Sequence, residues 1–214
     1  MTRPTLLAVC RATTFGPTPG RIGRTGIDKR PQTGVVPVGT LGIDGDVQAD
    51  TKHHGGVDKA LYAYAEHEAQ AWAERLGRPV PAGLFGENLR VAGVETTAAV
   101  IGETWRIGAD VVVEVTMPRT PCATFAHRMG EERWVRRFTD AGLVGAYLRV
   151  RAPGDVRAGD TIEVLDRPEH GVTVGAVFSG LGRDDAARLR RAHDDGVVDL
   201  TEPVLARVAS ALEG

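Results

Sequence analysis

Turn residues recur at short intervals along most of this chain, and that spacing constrains its fold more than any other feature. The 214 residues include 27 glycines and 12 prolines. Between these breaks lie short apolar or alternating runs: Thr5–Ala12, Gly34–Val38, Ala60–Tyr64, Val91–Val94, Ala99–Ile107, Asp110–Met117, Gly145–Ala152, Thr161–Asp166 and Val172–Phe178. Runs of this length read as strands. Pro37 places its run at a sheet edge or a bulge. Gly108-Ala109 and Pro153-Gly154-Asp155 read as the turns of two hairpins. Helical periodicity interrupts the pattern only once or twice. Ala65, Ala69, Trp72, Ala73 and Leu76 share one helical face, and Gly77 stops that helix. A second, ambiguous helix begins after Cys122 and continues through Trp134, Val135 and Phe138 to Gly142. A parallel α/β fold would alternate strand and helix regularly. The expectation is therefore a mainly β protein, a closed or nearly closed β-barrel with inserted helices.

From Ser179 the texture changes. Asp184–His193 is charged and helical, and Gly196 breaks it. Thr201-Glu202-Pro203 starts a second helix with an apolar stripe of Val204, Leu205, Val208, Ala209 and Leu212. With a turn near Val177 this makes a small three-helix extension. The division reads as a barrel over 1–170 and a helical extension over 171–214. Such a helix pair raises the question of DNA. The Asp184-Asp185 and Asp194-Asp195 pairs and a net charge of −2 argue against nucleic acid. No apolar run approaches the ~20 residues that span a bilayer, and no signal peptide is visible. The two cysteines, Cys10 and Cys122, show no zinc spacing. A reducing cytoplasm is expected.

The stretch that carries chemistry is Met117-Pro118-Arg119-Thr120-Pro121-Cys122, directly after the clearest strand in the sequence. Two prolines should end strand pairing and stiffen the loop. A stiff support suits a thiolate that must hold a metal or a substrate sulfur. A lone cysteine also serves as a small buried apolar residue, and the local pattern leaves both readings open. The second informative stretch is Thr51-Lys52-His53-His54-Gly55-Gly56-Val57-Asp58-Lys59. Adjacent histidines point in different directions, so they do not read as a metal pair. Gly55-Gly56 beside Lys59 would let the backbone approach an oxoanion, or would form a simple glycine turn. In Gly83-Leu84-Phe85-Gly86-Glu87-Asn88-Leu89, Glu87 and Asn88 could clamp the backbone of another loop or serve a site.

Taken in order, T-G-I-D-K-R-P, G-I-D-G-D-V-Q-A-D, H-H-G-G-V-D-K-A-L-Y-A-Y, F-G-E-N-L and P-R-T-P-C resemble the MOSC family. This domain is related to the C-terminal part of molybdenum cofactor sulfurases. The likeness covers most of Thr5–Asp166 and is nearest to the bacterial YiiM-like group, whose three-helix extension the tail also resembles. The resemblance implies a barrel like the one inserted in pyruvate kinase, with a cleft for the molybdenum cofactor, a molybdopterin-type pterin with a dithiolene and a phosphate. Cys122 matches the family's thiolate ligand of the metal, a role suited to soft sulfur. Arg119 would favour the thiolate or grip the cofactor phosphate. His53, His54, Gly55 and Gly56 match a cleft loop, and Thr120, Asn88, Lys29 and Lys59 are further candidate cofactor contacts.

The chain lacks an iron–sulfur module and a pyridoxal-phosphate domain. The resemblance therefore implies a molybdenum-dependent oxidoreductase that reduces a small N-hydroxylated substrate of the hydroxylaminopurine type. A separate flavin or iron–sulfur reductase would supply the electrons. Two alternatives use the same residues: sulfur transfer through a Cys122 persulfide, and a non-catalytic cofactor carrier. The helical tail and a Trp134/Phe138 face read as exposed suggest a homodimer.

Overall fold

The computed structural model describes residues 3–19, 23–47 and 55–214. His53 and His54 lie outside the described residues. The strands are β1 (Thr5–Arg11), β2 (Gly16–Pro17), β3 (Arg24–Thr25), β4 (Arg30–Pro31), β5 (Val36–Gly39), β6 (Gly42–Ile43), β7 (Leu61–Ala65), β8 (Leu89–Ala92), β9 (Thr104–Ile107), β10 (Val111–Pro118), β11 (Ala146–Ala152), β12 (Gly154–Val156) and β13 (Ile162–Asp166). The helices are α1 (Glu66–Leu76), α2 (Ala123–Met129), α3 (Trp134–Ala141), α4 (Val174–Ser179), α5 (Arg183–Asp194) and α6 (Glu202–Glu213). A 3-10 turn, Val57–Lys59, precedes β7.

The main sheet runs β13-β9-β10-β11-β7-β8-β1-β4. It is mixed, because β7 and β8 pair in parallel and the other neighbours are antiparallel. Its two ends meet. Thr5 bridges Thr161, the Leu6 N–H donates to the Asp160 carbonyl at 2.8 Å, and the Ile162 N–H donates to the Pro4 carbonyl at 3.0 Å. The sheet thus curls until β1 and β13 touch. A smaller sheet, β12-β5-β6, packs beside it.

β10 is the strand that positions the site. Its sequence, Val-Val-Val-Glu-Val-Thr-Met-Pro, is buried at all but one position. Such a strand cannot alternate apolar and polar residues, because both of its faces are covered. Its register against β11 shifts between Val115 and Met117, and pairing then continues to Pro118 opposite Ala146. A bulge of this kind bends a strand and re-aims the residues beyond it. Arg119 is the first residue beyond the end of β10.

Three expectations need correction. The single helix expected after Cys122 is two, because Gly130 (φ 65°) and Arg133 (φ 54°) take left-handed conformations between α2 and α3. Gly154-Asp155, expected in a turn, form strand β12, which pairs with β5. The alternation at Val172–Phe178 is mostly helix α4, capped by the Thr173 hydroxyl accepting from the Ala176 N–H at 3.1 Å.

A fourth correction concerns Trp134 and Phe138, which were expected on an exposed face. They are 1% and 0% exposed. Trp72, Phe85, Phe125, Trp134 and Phe138 form one aromatic cluster, with Trp72 stacked on Phe138 at 5.7 Å and Phe125 edge-on to Phe138 at 5.0 Å. Each ring buries a large apolar area, and the offset geometries add to that. The cluster joins α1, α2 and α3 and forms the floor beneath the Arg119–Cys122 loop. The apolar faces of α4, α5 and α6 enter the same hydrophobic core as the barrel through Val174, Val177, Leu189, Val204 and Val208.

Candidate functional site

The site begins where β10 ends. Arg119 is 6% exposed. Its guanidinium carbon lies 3.6 Å from the centroid of the Phe125 ring and 5.2 Å from that of Tyr62. Its Nη1 has no hydrogen-bond partner, and no described carboxylate pairs with it. A buried guanidinium normally gains a carboxylate or several carbonyls, since desolvating the charge is costly. Burial disfavours the charged form, but Tyr62, Tyr147 and Cys122 outweigh it and hold the pKa above the ordinary arginine value. Arg119 is therefore a cation aimed at something other than a protein carboxylate.

Cys122 is the residue before α2 and is half-buried. Its backbone is extended, with φ −133° and ψ 172°, and its side chain does not cap the helix. Neither cysteine is disulfide-bonded. Cys10 differs completely from Cys122. It is fully buried in β1, and burial first, then the nearby Glu87, pushes its thiol up to about 12. Nucleophilic or ligand chemistry therefore belongs to Cys122.

Tyr147 stands opposite Met117 across the β10–β11 pair. Burial raises its pKa, the neighbouring Arg119 opposes that shift, and the Cys122 side chain adds to it. On the other side of its ring lies Lys59, with the ammonium 5.9 Å from the centroid. Lys59 ends the 3-10 turn that comes after Gly55-Gly56. Gly56 has φ 89°, a conformation that suits glycine, and its carbonyl accepts from the Lys59 N–H at 3.1 Å. Beyond Met117 and Pro118, the exposed Thr120 reaches the same space. Lys59, Met117, Pro118, Thr120 and Tyr147 line one wall of a cavity of about 110 Å³. Its other wall comes from the C-terminal helices.

The fold therefore gathers Arg119, Thr120, Cys122 and Lys59 around Tyr147. It does not bring Lys29 and Asn88 to the same place. Lys29 pairs with the Asp46 carboxylate. Asn88 donates to the Cys10 carbonyl at 3.2 Å and to Asp46 at 2.9 Å, and accepts from the Tyr62 N–H at 3.2 Å. These two residues form a clamp across β1, β7 and the segment around Asp46. Glu87 is a second clamp, accepting from the Gly83 N–H at 2.9 Å and the Phe85 N–H at 3.0 Å and pairing with Arg90. The reading of Glu87 and Asn88 as backbone clamps thus describes their contacts.

Tyr62 and Tyr147 are absent from the sequence-based set of candidates. In sequence they are strand residues with no motif around them. The only available signal was their position on strands flanking the loop that carries Arg119.

The donor set fits a molybdenum cofactor on one count in particular: Arg119 has an unpartnered buried Nη1 beside a half-buried thiol. An anionic group brought near that thiol would complete the guanidinium's bonds. Among the described residues, no three His, Cys, Asp or Glu side chains converge on a metal position. A metal here would take one protein thiolate, with the remaining ligands from the cofactor itself.

A closed-up β-sheet with a cysteine and a carboxylate-free arginine at the end of its central strand defines a small sulfur-ligand cleft protein. The model of the MOSC domain matches residues 50–163, and the chain belongs to that family. YflK of Bacillus subtilis (strain 168), itself described as uncharacterized, is 39% identical over 155 residues, spanning 72% of this chain and 70% of YflK. A protein named reductase from Gibberella moniliformis is 33% identical over 145 residues, which is 66% of this chain but only 26% of that protein. The crystal structure of YiiM from Geobacillus stearothermophilus superposes with a TM-score of 0.76 at 24% identity, covering 98% of this chain and 99% of that one. That likeness, which includes the helical tail, is one of fold. Among the described residues no helix is long and apolar enough to cross a membrane.

Proposed function

We propose that this protein binds a molybdenum cofactor through Cys122 and Arg119 and reduces N-hydroxylated compounds of the hydroxylaminopurine class in the cytoplasm. The observation that carries the reading is the half-buried Cys122 thiol beside the Arg119 guanidinium, whose buried Nη1 lacks a partner. Family membership and the reductase-named fungal relative support it.

When bound, the cofactor supplies two-electron redox chemistry at its metal. The chain's own residues would do the rest. Cys122 offers one soft ligand. Arg119 holds an anionic part of the cofactor against the aromatic floor, where water is excluded and the charge acts at low dielectric. Tyr147, buried beside Arg119, stays protonated and can orient a bound group through its hydroxyl. In the net reaction an N-hydroxyl compound takes up two electrons and two protons and leaves as the amine and water. The electrons come from a separate flavin or iron–sulfur reductase. A homodimer is part of the same proposal.

The test is the molybdenum and pterin content of protein purified from a host that makes the cofactor, for the parent and Cys122→Ser. Near-stoichiometric molybdenum in the parent and its loss in the variant is the expected result. Pterin without metal in both proteins would turn the reading towards a carrier. Absence of both from the parent would overturn it, and a sulfane-sulfur assay on Cys122 would be the next step. A loaded parent, supplied with a competent reductase, must also reduce an N-hydroxylated purine.

A further inference from the structure

The second wall of the cavity beside Tyr147 is built by the helical tail. Val177 of α4 and Pro203, Val204 and Arg207 of α6 face Lys59, Met117, Pro118, Thr120 and Tyr147 across it. A volume of about 110 Å³ is several times the ~10–15 Å³ that one water requires. Its charge pattern is one-sided. Two cations, Lys59 and Arg207, and two hydroxyls, Thr120 and Tyr147, are the polar lining, and no described carboxylate joins them. Cavities lined by one sign of charge concentrate ligands of the other sign.

Both cations are held in place. Arg207 is half-buried and donates through Nη1 to the Val177 carbonyl at 2.7 Å and the Phe178 carbonyl at 3.3 Å. Those carbonyls are acceptors in the last turn of α4, so they anchor the guanidinium while leaving its charge uncompensated by any described carboxylate. Lys59 is positioned by its neighbour Asp58, whose carboxylate accepts from Arg149 Nε at 2.8 Å. The same Arg149 donates to Asp199 at 2.8 Å, on the segment leading into α6. One arginine thus fixes the Lys59 turn and the approach to α6 relative to each other.

We propose that this cavity is an anion seat for a phosphate group on the substrate, with Lys59 and Arg207 as its specificity-determining residues. The substrate reduced beside Cys122 is then a phosphorylated compound, a nucleotide rather than a free base. Arg207 lies outside the matched MOSC segment, so the helical tail acts in substrate choice. The placement beside Cys122 rests on the reductase reading, but the seat itself is tested without turnover.

The experiment measures binding of inorganic phosphate and of adenosine 5′-monophosphate, with adenosine as control, by calorimetry at fixed ionic strength. It uses the full chain with and without bound cofactor, as parent, Lys59→Gln and Arg207→Gln, each checked for native circular dichroism. The expected result is binding of both phosphates to both forms of the parent, none of adenosine at equal concentration, and a roughly tenfold or greater weakening in each variant. Arg207→Lys should recover part of the affinity, which separates charge from an altered fold. Phosphate binding only to the cofactor-free chain would assign the seat to the cofactor's own phosphate and overturn the proposal. Equal binding by both variants, or no binding by the parent, would also overturn it. Failure of the reductase assay with phosphate binding intact would sink the reductase reading alone.

Discussion

The guanidinium carbon of Arg119 lies 3.6 Å from the centroid of the Phe125 ring, and Cys122 immediately precedes α2, the helix that carries Phe125. The arginine and the cysteine are therefore held against the same short helix. Arg119→Leu separates the two roles this arginine could have. Removing its cation–π contacts costs about 2 kcal/mol. Removing a buried charge that lacks a carboxylate partner relieves several kcal/mol of desolvation. The second effect is larger, so urea unfolding should show stability unchanged or raised by about 1–2 kcal/mol, while cofactor content falls. Marked destabilisation with cofactor retained would make Arg119 structural.

Cys10 gives a pH dependence with a definite sign. Its thiol moves from an ordinary value near 9 in the unfolded chain up to about 12 in the fold, chiefly through burial. Above pH 9 the unfolded state loses this proton and the folded state keeps it, so the unfolded state binds fewer protons. Stability is therefore complete below pH 9 and falls as pH rises towards 12. The slope owed to one such group is about 1.4 kcal/mol per pH unit. Urea titrations from about pH 9 to 11 should show a shallower decline in Cys10→Ala than in the parent by about this amount. Parallel declines would remove Cys10 as the cause. In the same fold, iodoacetamide at about pH 8 should label Cys122 and spare Cys10.

The barrel was legible because its signals are local. Alternation and turn residues mark β1, β7, β10, β11 and β13 directly, and Gly77 at φ 63° ends α1 where its sequence says it should. Trp134 and Phe138 misled because a helix with an apolar face looks the same whether it meets solvent, a partner or its own core. Only the arrival of α1 and α2 over α3 decides that, and the Trp72–Phe138 stack joins residues far apart in sequence. At the site, the motif pointed to Arg119, Thr120 and Cys122. Tyr62, Tyr147 and Arg207 were silent because pairing across strands and packing of α6 bring them in. Lys29 and Asn88 carried the right chemistry, yet Asp46 and the backbone absorb it.

Gly145, just before β11, has φ 66°. A Cβ there would lie 2.6 Å from the Ala63 carbonyl oxygen, 2.7 Å from the Tyr64 ring and 2.8 Å from the Tyr62 ring. Gly142 has a similar φ of 67° but nothing within 4 Å of its Cβ position. Gly142→Ala should thus cost about 1–2 kcal/mol from backbone strain alone. Gly145→Ala adds overpacking of about 1–3 kcal/mol and displaces the Tyr62 ring on which Arg119 rests. Urea midpoints compare the pair. Equal losses would mean that β7 yields freely to the new methyl group.

Arg149 links the barrel to the tail, and its burial decides how much that link is worth. It is 8% exposed, and it donates to Asp58 at 2.8 and 2.5 Å and to Asp199 at 2.8 Å, with Glu114 at 3.5 Å. The Asp199 side chain is 66% exposed. Solvent screens that pair, so Asp199→Asn should cost under about 1 kcal/mol. Arg149→Met is different. It leaves Asp58 and the buried Glu114 facing each other's charge with only Arg151 to offset them, and should cost about 2–4 kcal/mol. Limited trypsinolysis should also cut α5, at Arg183 to Arg191, well before global unfolding in this variant, because the α5–α6 connection has lost its anchor. Lys59 shares the turn with Asp58, so phosphate affinity should fall in Arg149→Met even where circular dichroism stays native. A loss in Asp199→Asn as large as that in Arg149→Met would mean that the exposed pair, not the buried cluster, holds the tail against the barrel.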